Sequence, residues 1–289
     1  MNQQPLLLVV YAVLIISLFN TDNFFKSRVY GHDFIPDESA SFLAFANQLK
    51  TESELVQSNL ANGNVDLAKE HAIRAIELLN STDPINNVTW KDEIAERNQR
   101  VANELVRAVS NLENITMSSP PSEQQQQSIP NDTTQLTDEI DAIIEDAITS
   151  RIESDQRGNA TIQATALGDI INNILRNYGN AYAVGFDMAN MSEMASMMGV
   201  NSSNKNSTLV NIVDYQSAQA LATKAIEIFN NELRSSNGNV TNPIAKLEDG
   251  LTQLNNSIKN KASPMDVMII GHTQVHPNLQ AAFNLQMKM

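Results

Sequence analysis

The sequence contains no cysteine, which excludes thiolate zinc sites, iron–sulfur clusters, disulfide staples and cysteine nucleophiles together. Glycine (10) and proline (9) are scarce among 289 residues and aromatics make up 5%, so the mixture that strands and tight hairpins draw on is missing. Basic residues are also few. Nineteen Lys and Arg stand against 33 Asp and Glu, and the formal charge of −14 repels nucleic-acid phosphate and anionic lipid headgroups. Nucleic acid is thereby excluded as an expected partner, while cations and basic proteins are not. Enzyme signatures are missing as well: there is no phosphate-cradling glycine loop, no G-x-S-x-G elbow, no H-E-x-x-H and no paired E-x-x-H of di-iron bundles. The expected role is therefore non-catalytic.

What is present is Ala, Leu, Ile, Asn, Gln and Glu, residues that favour helix, and the expected class is an all-α antiparallel helical bundle. One long apolar run exists, Pro5 to Phe19, too short to span a bilayer comfortably and close in length to a signal-peptide core. Lys26 and Arg28 follow it, which by the positive-inside rule alone would keep the body inside. Ten Asn-x-Ser/Thr sequons argue the other way: Asn80, Asn87, Asn114, Asn131, Asn159, Asn190, Asn201, Asn206, Asn239 and Asn255. A glycosylated, extracytoplasmic body is expected, secreted or anchored by an inserted N-terminal segment. Val29-Tyr30-Gly31 offers a cleavage site that would make His32 the mature N-terminus.

Residues 1–31 are thus read as signal peptide or membrane anchor, and residues 32–115 as a three-helix unit. Asp37-Glu38-Ser39 opens a helix with Phe42, Phe45, Leu49, Val56 and Leu60 on a stripe, Ala61-Asn-Gly-Asn64 turns the chain, and Ala68, Ala72, Ala75 and Leu79 stripe the return helix. Trp90 to Leu112 supplies a third. Residues 116–135, rich in Pro and Gln, are expected to be a disordered linker, and residues 136–289 a second helical bundle. Within it Leu167 to Tyr178 mark a helix expected to run on towards Met198. Tyr215 to Leu233 and Ile244 to Ile258 mark two more, and a last helix is capped by Ser263-Pro264. NGNV recurs at Asn62 and Asn237, but the stripes after the two turns are out of phase, so convergent turn chemistry is the better account than duplication.

Two features are candidates for metal chemistry. Met188, Met191, Met194, Met197 and Met198 crowd eleven positions, and thioethers are soft ligands suited to Cu(I). A strict step of three drifts around a helix, however, and Val184, Met188, Met191, Ala195 and Met198 draw an ordinary buried stripe, so core packing is the preferred reading. His272 and His276 lie four apart, within reach of one Zn²⁺ or Cu²⁺ on a continuous helix, although Pro277 disfavours α geometry at His276. A third ligand would have to come from elsewhere. His32, as a free N-terminus, would chelate Cu²⁺ only with a further histidine. His71 is expected level with Glu52 and Glu54 across the first hairpin, favouring a buried His–Glu hydrogen bond or a solvated contact over a metal site. The acidic pairs Asp92-Glu93, Asp138-Glu139 and Glu145-Asp146 read as solvated helix faces.

The apolar leader followed by GHDFIPDESASFLAF, the Asn-rich helical body and the closing GHTQVHPNLQAAFNL resemble exported helical proteins of ammonia-oxidising archaea, a likeness that spans most of the chain and implies no activity. The C-terminal part is weakly similar to imelysin-like helical domains, but Gly271-His272 lacks the glutamate of their G-x-H-x-x-E motif, so iron binding does not carry over. The sequence therefore points to a cell-surface interaction or scaffold protein with a cell-envelope partner. The alternative is an extracytoplasmic copper-binding protein.

Overall fold

The structure, a computed structural model, describes residues 34–117, 129–190, 208–236 and 242–286. These residues are helical with no β-strand, so the chain is all-α. The helices are α1 (Glu38–Ala61), α2 (Val65–Asn80), α3 (Trp90–Arg97), α4 (Gln99–Met117), α5 (Ile129–Arg151) and α6 (Ser154–Arg157). They continue with α7 (Ala160–Ala181), α8 (Ile212–Ile228), α9 (Asn242–Lys259), α10 (Pro264–Ile270) and α11 (His276–Phe283). Five-residue π turns extend α8 at Phe229–Leu233 and join α10 to α11 at Gly271–Val275.

Local sequence sets most of the ends. Asp37 caps α1 by accepting from Ala40 N–H at 2.9 Å, and the chain reverses through Gly63 at φ 75°, a conformation glycine adopts without a Cβ penalty. Ser263 caps α10 by accepting from Asp266 N–H at 3.1 Å, with Pro264 at the first helical position. The expected single helix from Trp90 to Leu112 is two: Asn98 leaves helical geometry (φ −152°, ψ 92°) and its side chain accepts from Val101 N–H, so it closes α3 and opens α4.

Apolar side chains form two cores, one shared by α1 to α5 and one by α7 to α11. α1 is the wall between them. Ala40, Ser41, Phe42, Leu43, Ala44, Phe45 and Ala46 are buried in succession, which a helix with one solvated face cannot achieve. Ala44 packs in the second core while its neighbours Leu43 and Phe45 pack in the first, and α1 also lies against α7 and α8. Phe45 stacks on Trp90 at 4.7 Å, and the Arg151 guanidinium lies over Phe42 at 4.9 Å.

This arrangement moves two expected boundaries. Leu136, Ile140, Ile143, Ile144, Ala147 and Ile148 of α5 pack into the first core, so the helix after the expected linker belongs with the helices before it. The linker itself is shorter than the expected 116–135. Residues 129–135 are the first turns of α5, with Thr133 fully buried, and residues 118–128 lie outside the described ones. Low hydropathy hid this start, because its buried side chain is a threonine.

The helix expected to continue to Met198 stops at Ala181. Val184 N–H donates to Gly179 O at 2.9 Å and Ala183 N–H to Asn180 O at 3.1 Å, with Ala183 left-handed at φ 51°. This is the closure usually made with glycine at that position, so an alanine there gave no warning. Among the described residues no helix is long and apolar enough to cross a membrane; the run from Pro5 to Phe19 lies outside them.

Candidate functional site

The metal candidates fall on the second core. Met188 is buried but sits in an irregular segment rather than on a helical stripe, which corrects the seam drawn through Val184 and Met188; Met191, Met194, Met197 and Met198 lie outside the described residues. Its segment is tied to α7 by Asp187, which receives Arg176 Nε at 3.3 Å and Ala189 N–H at 2.9 Å. The Met188 thioether rests on Gly179, where an added Cβ would stand 3.0 Å from the sulfur.

His272 lies in the π turn and His276 begins α11, both buried. Their rings meet edge to face at 5.3 Å, and His276 meets Phe34 likewise at 5.9 Å. His276 keeps α geometry (φ −57°, ψ −47°) despite the following proline, because the wider π turn takes up the distortion instead. His272 Nε2–H donates to the Met188 carbonyl at 2.9 Å. The structure thus brings the Met188 carbonyl to His272, 84 positions away in sequence, and His272 to His276. Among the described residues no group of three or more His, Asp or Glu is placed to hold a metal ion.

A denser constellation lies where α1 and α2 meet α8. His71, Glu52, Ser217 and Asp214 are buried there together. His71 Nδ1 is 2.7 Å from Glu52 Oε2, the partner that the hairpin geometry predicts. Its Nε2 is 2.8 Å from Gln216 Oε1. Ser217 Oγ donates to Glu52 Oε1 at 2.7 Å and accepts from Arg74 Nη1 at 2.8 Å, while Arg74 Nη2 donates to Asp214.

The donor directions in this network are fixed from the backbone outward. The Asn59 side-chain amide donates to the Leu55 carbonyl at 2.9 Å, which identifies its nitrogen. Asn59 and Gln216 then pair amide to amide, each donating to the other at 3.2 Å, and this turns Gln216 Oε1 towards both Asn59 and His71. Each ring nitrogen of His71 therefore faces an oxygen, Glu52 Oε2 on one side and Gln216 Oε1 on the other.

Burial alone would raise the Glu52 carboxyl, but the His71 hydrogen bond, the charges of Arg74 and His71 and the Ser217 hydroxyl together bring it below the ordinary glutamate range. Asp214 goes the other way. Burial pushes it above the ordinary range even though Arg74 and Asn211 donate to it. At the edge of the same seam Lys224 bridges Glu54 at 3.1 Å and Glu227 at 3.2 Å.

Chemically, a serine, a histidine and a glutamate together suggest a hydrolase. The wiring does not match one. A serine nucleophile donates its proton to an unprotonated histidine nitrogen, which the carboxylate orients from the far side. Here the serine donates to the carboxylate and both histidine nitrogens are occupied. Sequence reasoning reached Glu52 and His71 but missed Ser217, Gln216, Asn59, Arg74 and Asp214. Asp214 looks like an ordinary acid in the first turn of α8, and nothing local shows a cation 140 positions away. Glu93 was misread similarly: expected on a solvated face, it is buried and receives Arg151 and Asn86 Nδ2, the latter at 2.9 Å.

Comparisons of the chain with protein-family models, curated proteins and solved structures found no match.

Proposed function

We propose that the protein is a non-catalytic helical interaction or scaffold protein outside the cytoplasm, secreted or anchored by its N-terminal segment. The observation that carries this reading is the direction of the hydrogen bonds around His71. His71, Glu52, Arg74 and Asp214 join α1 and α2 to α8, and in the serine–histidine–glutamate grouping described above the serine donates to the carboxylate while both histidine nitrogens already face other side chains. The full chain carries a formal net charge of −14, which suits a basic face on a cell-envelope protein. Cross-linking at the envelope of producing cells tests this. A specific partner whose capture weakens as salt rises supports it, and a strictly monomeric protein with no cross-linked neighbour contradicts it.

One observation favours copper as a second reading: the His272 bond to the Met188 carbonyl sets the start of the methionine-rich segment beside the histidine pair. Titration with Cu(I) against a competing chelator, beside a variant carrying Met194→Leu and Met197→Leu, tests it. Equal affinities for the two proteins remove the methionine ladder, and a weakened variant supports it.

A further inference from the structure

The sequons are not equivalent once the chain is folded. Asn255 lies on α9 and is 8% exposed, among Leu251, Leu254 and Ile258 of the second core. An oligosaccharide on its amide nitrogen would have to occupy space already filled by packed side chains. In Asn114-Ile115-Thr116 the asparagine is exposed, but the threonine is 4% exposed and bonds back to the Glu113 carbonyl. The amide of Asn80 donates to Ile76 O at 2.8 Å, and Asn159 caps α7 by accepting from Thr161 N–H at 2.8 Å.

Asn87, in Asn87-Val88-Thr89, differs from these at the asparagine itself, although the Thr89 hydroxyl caps α3, accepting from Asp92 N–H at 3.1 Å and donating to Asp92 Oδ2 at 2.6 Å. It stands exposed in the loop between α2 and α3, and Val88 beside it is 41% exposed. The loop is held without its side chain: Asn87 N–H donates to Asp83 O at 3.0 Å, Asp83 N–H to Val88 O at 2.7 Å, and Asp83 accepts from Ile85 N–H at 3.0 Å. Its backbone is left-handed at φ 58°, a conformation asparagine tolerates better than most residues, so the side chain stands off the turn.

We propose that Asn87 is a site of N-linked glycosylation and that Asn255 stays bare in the folded protein. The transfer joins Asn87 Nδ2 to the anomeric carbon of an oligosaccharide carried on a lipid phosphate or pyrophosphate. The carbon–oxygen bond to that phosphate breaks, Nδ2 gives up one of its two protons to neutralise the departing phosphate, and no electrons change hands. The lipid-linked donor and its transferase belong to the membrane of the exporting cell. The glycan would cover the loop that follows α2 and leads into Trp90 at the start of α3.

This inference rests on the extracytoplasmic reading, and the experiment separates the two. The full chain is produced in insect cells twice, with its own leader and with the host's secretion leader, and secreted protein is released from glycan in heavy-oxygen water and mapped by mass spectrometry. Retention inside the cell with the native leader alone counts against the location. With the host leader, the expected result is label at Asn87 and none at Asn255. Asn87→Asp, which keeps a residue tolerant of left-handed backbone, should lower the intact mass by one glycan, while Ser257→Ala, which removes the Asn255 sequon and keeps its side chain, should change it only by the substituted atom. An unlabelled Asn87 or a labelled Asn255 in the secreted pool overturns the proposal.

Discussion

Two buried histidine environments in one chain obey different physics. His71 is held between a carboxylate and an amide oxygen at a junction of three helices, and its neighbours Ser217, Arg74 and Asp214 extend the polar contact across that junction. His272 and His276 are as deeply buried, yet their neighbours include rings and backbone: Phe34, the Met188 carbonyl and each other. The contrast teaches that burial alone does not define a histidine's role. At His71 both ring nitrogens face side-chain oxygens carried by separate helices, whereas at the C-terminal pair the rings face each other, Phe34 and a backbone carbonyl.

The sharpest way to break the comparison is to remove the counter-charge. Glu52→Ala leaves the His71 ring and the Arg74 guanidinium facing an apolar gap, and urea unfolding should show a loss of about 3–5 kcal/mol, as for other buried pairs stripped of one partner. Glu52→Ala should also loosen α8 from α1, seen as faster amide exchange in both helices. The histidine end is expected to respond to shape instead. At Gly168 an added Cβ would stand 2.6 Å from the Phe34 ring, which cannot bend away as a flexible chain does. Gly168→Ala should therefore cost about 1–3 kcal/mol by displacing Phe34 from His276, visible in thermal unfolding. Gly179→Ala meets the Met188 thioether at 3.0 Å, a flexible neighbour, and is expected to cost less than about 1 kcal/mol.

Acid titration sharpens the contrast further. Glu52 has a folded pKa below its ordinary value, so its stabilisation is complete above that value and is lost as pH falls through the lowered folded pKa. Asp214, raised by burial, has the opposite sign and gains relative stability as it takes up a proton. Glu52→Gln should consequently flatten the acid limb of the stability profile while lowering the neutral plateau. A variant whose acid limb is as steep as that of the natural protein would show that other carboxylates dominate it.

How much of this was legible beforehand follows from the range of each interaction. Periodicity placed Phe42, Leu49, Tyr215, Phe229, Leu247 and Leu254 in buried positions, since a helical stripe is written within a few turns. Caps at Asp37 and Ser263 were equally local. The His71–Glu52 contact was within reach because one short turn fixes the register of the hairpin. Its extension to α8 was not, for Ser217 and Arg74 are 143 positions apart and no spacing rule connects them. The stop of α7 at Ala181 was hidden by an alanine in a left-handed position, and the membership of α5 in the first core by the absence of any signal that tells an apolar face which neighbour it will meet. For the metal candidates, Met188 and the histidine pair were brought together by a backbone carbonyl, a contact that side-chain patterns do not encode.

The most direct test is the nitrogen-15 spectrum of the His71 imidazole in the folded protein at pH 7, assigned with the help of His71→Gln. Both ring nitrogens are predicted to be protonated, each coupled to its own hydrogen, leaving the ring no capacity to take a proton from Ser217. One unprotonated nitrogen would put a base within the serine–glutamate grouping and contradict a purely structural role for it.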